Sequence, residues 1–270
     1  MFQPCFGYRC WVIGFALLCT WSTCWALDKD HAFPKDLISE ADFLKLYAES
    51  TKQMQDYARS QSSLNQDYKK LENEAYHFML LCEVQRKTGN EDAIRKATLA
   101  QNAAKVIAAA ASKKDHATIK QQLADISDWR RIKADKEVKS DMKSISDEVP
   151  MDNLMKGLVQ PLFDKFDKTP KAYRNLNAAN FNSKLPEIQL ASYKLAIYSW
   201  ATHYYVPKKD DMPNGKKPED WDKWTDEMMK ASQDLINAAK AKKQNDLKSA
   251  VRKLDTSCTK CHDDFRMKNE

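Results

Sequence analysis

Apolar positions recur at alternating steps of three and four along most of the chain, the period of one helix face. In the first half the stripes read Phe43, Tyr47, Ser50, Met54, Tyr57, then Tyr68, Leu71, Ala75, Phe78, Cys82. Ile94, Ala97, Ala104, Ile107 and Ile119, Leu123, Ile126 complete that half. The second half repeats the scheme. Its stripes are Met151, Met155, Leu158, Leu162, Phe166; Ile188, Ala191, Leu195, Tyr198, Thr202, Tyr205; Trp221, Trp224, Met228, Ala231, Leu235; and Leu247, Val251, Leu254, Cys258, Cys261, Phe265. Four amphipathic helices bury their stripes against one another as an antiparallel bundle, so the pattern predicts an all-α chain of two tandem antiparallel four-helix bundles. Pro161 should kink or end its helix early, and Pro218-Glu219-Asp220 makes a good helix start. The run 207–215 is a loop. Residues 130–147 are dense in charge, with Lys136, Glu137, Lys139, Asp141 and Lys143, as in a solvated linker or a helical extension.

Five glycines in 270 residues agree with a helical reading, since the ordinary share is about 7%. The first 26 residues differ from the rest. One cation, Arg9, precedes the apolar stretch Trp11-Val12-Ile13-Gly14-Phe15-Ala16-Leu17-Leu18, and Cys24-Trp25-Ala26 offers a small-residue exit. That is the layout of a secretory signal peptide cleaved after Ala26; an uncleaved anchor is the alternative, though the stretch is short for a membrane span. The expected organisation is therefore signal peptide 1–26, a first bundle at 27–130, a linker at 131–146 and a second bundle at 147–270. Four of the seven cysteines (Cys5, Cys10, Cys19, Cys24) fall in the expected signal. Cys82 lies on an apolar stripe and reads as a buried core thiol, so no disulfide framework is expected. The formal charge of +6, less Arg9, is too small and too well mixed with acids to argue for nucleic acid.

A weak internal repeat is visible. Val106-Ile107-Ala108-Ala109-Ala110-Ala111-Ser112-Lys113-Lys114 resembles Leu235-Ile236-Asn237-Ala238-Ala239-Lys240-Ala241-Lys242-Lys243. With a one-residue gap, Ile119, Leu123 and Ile126 fall on Leu247, Val251 and Leu254. Either the chain is a duplicated bundle, or two Ala/Lys-rich amphipathic helices align by composition alone. That register sets Trp129-Arg130-Arg131-Ile132-Lys133, which has no cysteine, near the place of the most informative run in the chain.

That run is Cys258-Thr259-Lys260-Cys261-His262. C-x-x-C-H is the spacing at which a c-type haem is attached, two thiols forming thioethers and the adjacent imidazole ligating iron. A structural zinc site would need further ligands, and no second C-x-x-C or H-x-x-x-H accompanies the run. A thioredoxin-like redox pair should sit beside a βαβ pattern, which is missing from the sequence. The other histidines (His31, His77, His116, His203) are scattered singly, and no paired carboxylates or nucleophile–base pair point to an enzyme.

A C-x-x-C-H on the last helix of a four-helix bundle, continued by Asp263-Asp264-Phe265-Arg266, resembles the C-x-x-C-H-x-x-F-R ending of the cytochrome c′ family. The resemblance implies that the second bundle is of cytochrome c′ type and holds one covalent haem c through Cys258 and Cys261. It makes His262 the axial iron ligand and sets Arg266 near the proximal haem face. In this family the first helix faces the other side of the haem, with an apolar residue in high-spin members and a methionine, often followed by lysine, in low-spin ones. Met155-Lys156 looks like the methionine version, and Met151 competes for the role; Met155 could equally be a core filler. His203 reads as a surface or interhelix hydrogen-bonding residue. The implied function is a periplasmic electron carrier working with redox partner proteins. The alternatives are a five-coordinate haem protein binding nitric oxide or carbon monoxide, and a haem-bearing subunit or interaction module. Relatives often form homodimers through their helices. The processed chain is not expected to be an integral membrane protein.

Overall fold

The computed structural model describes residues 31–133, 138–169, 172–208, 212–213 and 215–265. The expected signal peptide, Arg266 and parts of the 131–146 and 207–215 segments lie outside the described residues. Among the described residues the chain is all-α. Its helices are α1 (Glu40–Tyr57), α2 (Gln61–Thr88), α3 (Glu91–Lys113), α4 (His116–Ile126), α5 (Ile145–Glu148), α6 (Gln160–Phe166), α7 (Ala178–Thr202), α8 (Pro218–Lys240) and α9 (Gln244–Phe265). Residues His31–Glu270 form one compact unit.

Local chemistry accounts for the helix starts. Ser39, Ser60, Asn90, Asp115 and Asn177 each cap a helix, their side chains accepting the backbone N–H three residues on. At α8 the backbone N–H of Lys217 donates to Asp220, with Pro218 in the first turn. The periodic residues go inside as expected: Phe43, Tyr47, Met54, Leu71, Phe78, Ile107, Ile119, Leu123, Leu235, Leu247, Val251 and Leu254 are all buried.

The α3–α4 and α8–α9 hairpins turn identically. Lys114 (φ 56°) and Lys242 (φ 57°) adopt the left-handed conformation. Lys114 N donates to Ala111 O and Asp115 N to Ala110 O; Lys242 N donates to Ala239 O and Lys243 N to Ala238 O. Each pair satisfies carbonyls that the end of a helix leaves open.

α7 departs from a one-sided stripe. Every residue from Ala191 through His203 is buried, as in a helix packed on all sides. It packs on α8, on α2 and on the segment before α6. Polar contacts bind it to α1 as well: Lys194 Nζ lies 3.0 Å from Glu49 and Tyr193 donates to Asp42 at 2.8 Å. One buried apolar core therefore runs from Phe33 to Leu254, crossing the expected boundary at 131–146. The described part of that boundary is fastened rather than loose. Asn102 Nδ2 donates to Lys139 O and Asn102 Oδ1 accepts from Asp141 N, while Lys105 pairs with Glu148 at 2.7 Å.

Asn153–Val159 is a π-helical stretch leading into α6. Pro161 lacks an N–H to continue an ordinary ladder, and the wider turn absorbs it, Gln160 N donating to Met155 O. The stretch presses on α2: Asn153 donates to Asn73 at 3.0 Å, and a Cβ at Gly157 would stand 2.7 Å from the Asn73 side chain.

Candidate functional site

α9 carries the attachment run, and α8 forms the wall opposite it. Val251, Leu254, Ser257 and Cys261 are buried along one face of α9. Cys258 is half-buried against the main core, and Cys261 is buried in a separate small cluster with Trp221 and Trp224. The ring of Trp221 meets Phe265 edge-on at 5.2 Å between centroids. Its indole N–H donates to Thr202 O at 3.1 Å. The last turn of α9 is clamped to the start of α8: Asp264 accepts from Trp224 Nε1 at 2.7 Å and pairs with Lys216 at 2.6 Å. These hydrogen bonds, Lys216 first, hold the Asp264 carboxyl below its ordinary range. Lys223 and Lys260 lie over the Trp224 ring at 4.3 and 5.3 Å.

Cys258 and Cys261 are free thiols. Burial pushes the first up to about 12 and the second up to about 11. A redox-active C-x-x-C works the other way, by lowering a thiol toward thiolate at neutral pH. His262 is exposed, about 40° around the helix from Cys258. Two thiols on successive turns, an adjacent imidazole and a wall of aromatic side chains make a donor set that fits a covalently attached haem.

The expected distal residues divide. Met151 packs against the Trp221–Trp224–Cys261 cluster, together with Tyr205 and Val206. Tyr205 donates to Val149 O at 2.6 Å, which anchors the chain two residues before Met151. Met155 is half-buried on the π-helical stretch. Leu154, which lies off the periodic stripe, is fully buried there. The clamp of Trp224, Asp264 and Lys216 is equally hidden from the sequence, because an i to i+40 pairing such as Trp224 with Asp264 leaves no mark in a linear pattern.

Residues 178–266 match the family model described as Cytochrome C'. This stretch is a cytochrome c′ domain. It spans α7, α8, α9 and their connections, and ends with the C-x-x-C-H-x-x-F-R sequence. The cytochrome c′ family consists of haem c proteins that are typically not enzymes. The segment carrying Met151 and Met155 precedes the matched cytochrome c′ residues. No curated protein and no solved structure matches the chain. Among the described residues, no helix is long and apolar enough to cross a membrane.

Two histidines that are isolated in the sequence are neighbours in space. His31 stacks on His203 with 4.2 Å between ring centroids. His203 is buried beside the cytochrome c′ domain's first loop and hydrogen-bonds Thr225, in keeping with the interhelix role expected of it. His77 is buried in α2, edge-on to Tyr198.

Proposed function

We propose that the protein is an exported c-type cytochrome that carries single electrons between redox partner proteins. Cys258 and Cys261 would hold one haem c through thioethers and His262 would ligate its iron, while Arg266, by the family resemblance, would add a positive charge near it. The haem iron supplies one-electron exchange when bound. The chain's part is to hold and shield it. Trp221, Trp224 and Phe265 provide apolar surface around Cys261, and the Asp264–Trp224–Lys216 clamp keeps the last turn of α9 in register with α8.

The observation that carries this reading is the packing of a methionine against the cysteine-bearing cluster. A methionine thioether ligating the iron would raise its reduction potential and close it to gases, a pattern suited to electron transfer. The packing supports Met151 ahead of Met155 for that role. Lys217, Lys240, Lys242 and Lys243 are exposed at the two ends of α8 and would steer an acidic partner at low salt. The division of the chain into a haem bundle and a haem-free one, fused over a shared core, and its periplasmic location after removal of residues 1–26, belong to the same reading.

The absorption spectrum of the ferrous protein tests it. The expected form is six-coordinate and takes up no carbon monoxide. Met151→Ala should open the site to carbon monoxide, and Met155→Ala should leave it closed. Carbon monoxide binding by the unaltered protein would overturn the electron-carrier reading in favour of a gas-binding one. Opening by Met155→Ala alone would return the ligand to Met155.

A further inference from the structure

A second cluster of ligating side chains stands at the corner where α7 meets α8, apart from the haem-attachment run. His31, His203 and Asp222 each offer a donor atom, and the three atoms lie within 4.8 Å of one another. They come from three places: the start of the described chain, the residue after α7, and the first turns of α8.

Each is held in place by the fold. The backbone carbonyl of His31 accepts from Trp200 Nε1 at 2.6 Å, and Phe33 packs edge-on against the same indole. The His31 ring lies flat on His203, with an interplanar angle of 20°, and its Nε2 is 3.9 Å from Asp222 Oδ1. His203 is 4% exposed and its Nδ1 lies 2.8 Å from Thr225 Oγ1.

That last contact sets the chemistry of the ring. The single hydroxyl proton of Thr225 has two carbonyl acceptors within reach, Trp221 O at 3.1 Å and Asp222 O at 2.9 Å. The hydroxyl can donate to one of these carbonyls while its oxygen accepts from an Nδ1–H of His203. Metal binding requires the Nε2 of His203, 3.5 Å from Asp226 Oδ1, to give up any proton it carries. An imidazole whose far nitrogen is fixed by a hydrogen bond is the usual arrangement of a metal-ligating histidine.

We propose that His31, His203 and Asp222 bind one divalent first-row metal ion, zinc in the first instance. Two imidazoles and one carboxylate are the donor types that suit zinc, with a fourth position left for water or for Asp226 one turn further along α8. Bond lengths of about 2.0–2.1 Å would bring the donors to roughly 3.3 Å apart, so the side chains close by about 1 Å on binding. The ion fastens the chain at His31 to the α7–α8 corner, behind Trp221. Its role is structural, since it ties the segment before α1 to the cytochrome c′ domain.

The test uses the full haem-loaded protein, in which His262 is already committed, dialysed free of metal and then against zinc chloride. One zinc per chain should be retained by elemental analysis, and the thermal unfolding midpoint should rise. His31→Gln and Asp222→Asn, both at partly exposed positions, should each weaken zinc binding at least tenfold and cancel the thermal shift. Far-UV circular dichroism and the haem spectrum, read on the same samples, report whether the variants are folded and loaded. Retention of no zinc, or of one zinc undiminished in both folded variants, would overturn the proposal whatever the haem spectrum shows.

Discussion

The α3–α4 and α8–α9 hairpins share one architecture and differ in how far their second helix runs. With Lys114 set on Lys242, one residue off the register read from the sequence and with no gap, the same turn hydrogen bonds coincide, and so do most buried positions. Ala100, Ala104, Ile107, Ala111, Ile119, Leu123 and Ile126 fall on Met228, Ser232, Leu235, Ala239, Leu247, Val251 and Leu254, all buried. α3 buries mainly alanines, which let α2 approach closely; α8 buries Met228, Met229, Trp221 and Trp224. The larger difference comes at the second helix. α4 stops at Ile126, whose carbonyl accepts from the Tyr47 hydroxyl at 2.6 Å, and Trp129 then folds over Phe43 and Tyr47 at 4.9 and 5.2 Å. α9 continues for three more turns through Cys258, Cys261 and His262 to Phe265. The scaffold is common to both hairpins, and the residues proposed to hold haem lie in the added turns. In the first hairpin an aromatic plug stands where the second has its cysteines.

The most severe way to break this comparison is to remove the added chemistry. Cys258→Ala with Cys261→Ala should abolish covalent haem, read as loss of haem stain on a denaturing gel. Cys82→Ala should leave one haem per chain. The Cys82 thiol sits wholly within the aliphatic core, and burial holds it protonated, so it takes no part in attachment. Haem lost equally from both variants would mean that the motif is not the attachment point.

The next effect concerns the shared core. Ile107 and Leu235 occupy equivalent positions and both are fully buried. Truncation of either to alanine should cost about 3 kcal/mol. Because α7 packs on helices from both halves, both variants should unfold in one transition, with helix signal and haem absorbance lost together. If Ile107→Ala lowered only the first part of a biphasic curve, the halves would be separate domains after all.

Much of this is legible from the spacing of apolar residues. Phe43, Leu71, Ile107, Leu235 and Leu254 lie on predicted stripes and are buried, because a two-sided helix betrays its inner face by period alone. α7 is not legible in full. Ala196, Ile197 and Trp200 lie off its stripe, and their burial follows from packing on several sides, Trp200 under His31 and Phe33 and the helix as a whole between α8 and α2. Around Met151 and Met155 the period itself fails. Met151 and Met155 are both only half-buried, while Leu154, off their stripe, is fully buried, so the stripe does not mark the inner face of this π-helical stretch. His31 and His203 are invisible as a pair in the sequence, since they are joined by the fold and not by any local pattern.

A gentler comparison uses the turns. A left-handed lysine is strained by its Cβ, and glycine is not. Lys242→Gly should stabilise the protein by about 0.5–1 kcal/mol, measured by denaturant unfolding. Lys114→Gly should gain less, because the Lys114 ammonium lies over the Tyr68 ring at 4.8 Å and that attraction would be lost. Equal gains at the two sites would show the Tyr68 contact to be worth nothing.

The smallest effect should come from the contact that joins α1 to α7. Burial alone would raise the Asp42 carboxyl, but hydrogen bonds from Tyr193, Ser39 and Lys45 outweigh it and hold the group below its ordinary range. A carboxyl depressed in the folded state adds stability above its unfolded pKa of about 3.9 and loses that contribution as pH falls through the folded value. Asp42→Asn should therefore be slightly less stable than the parent at neutral pH and should match it in strong acid. The phenol would retain a neutral acceptor in the asparagine, so the difference isolates the charge and leaves the geometry in place. Tyr193→Phe offers the converse, since it removes the donor that couples Asp42 to α7. A difference between Asp42→Asn and the parent that persisted unchanged into strong acid would assign the effect to packing between the two halves instead of to this carboxylate.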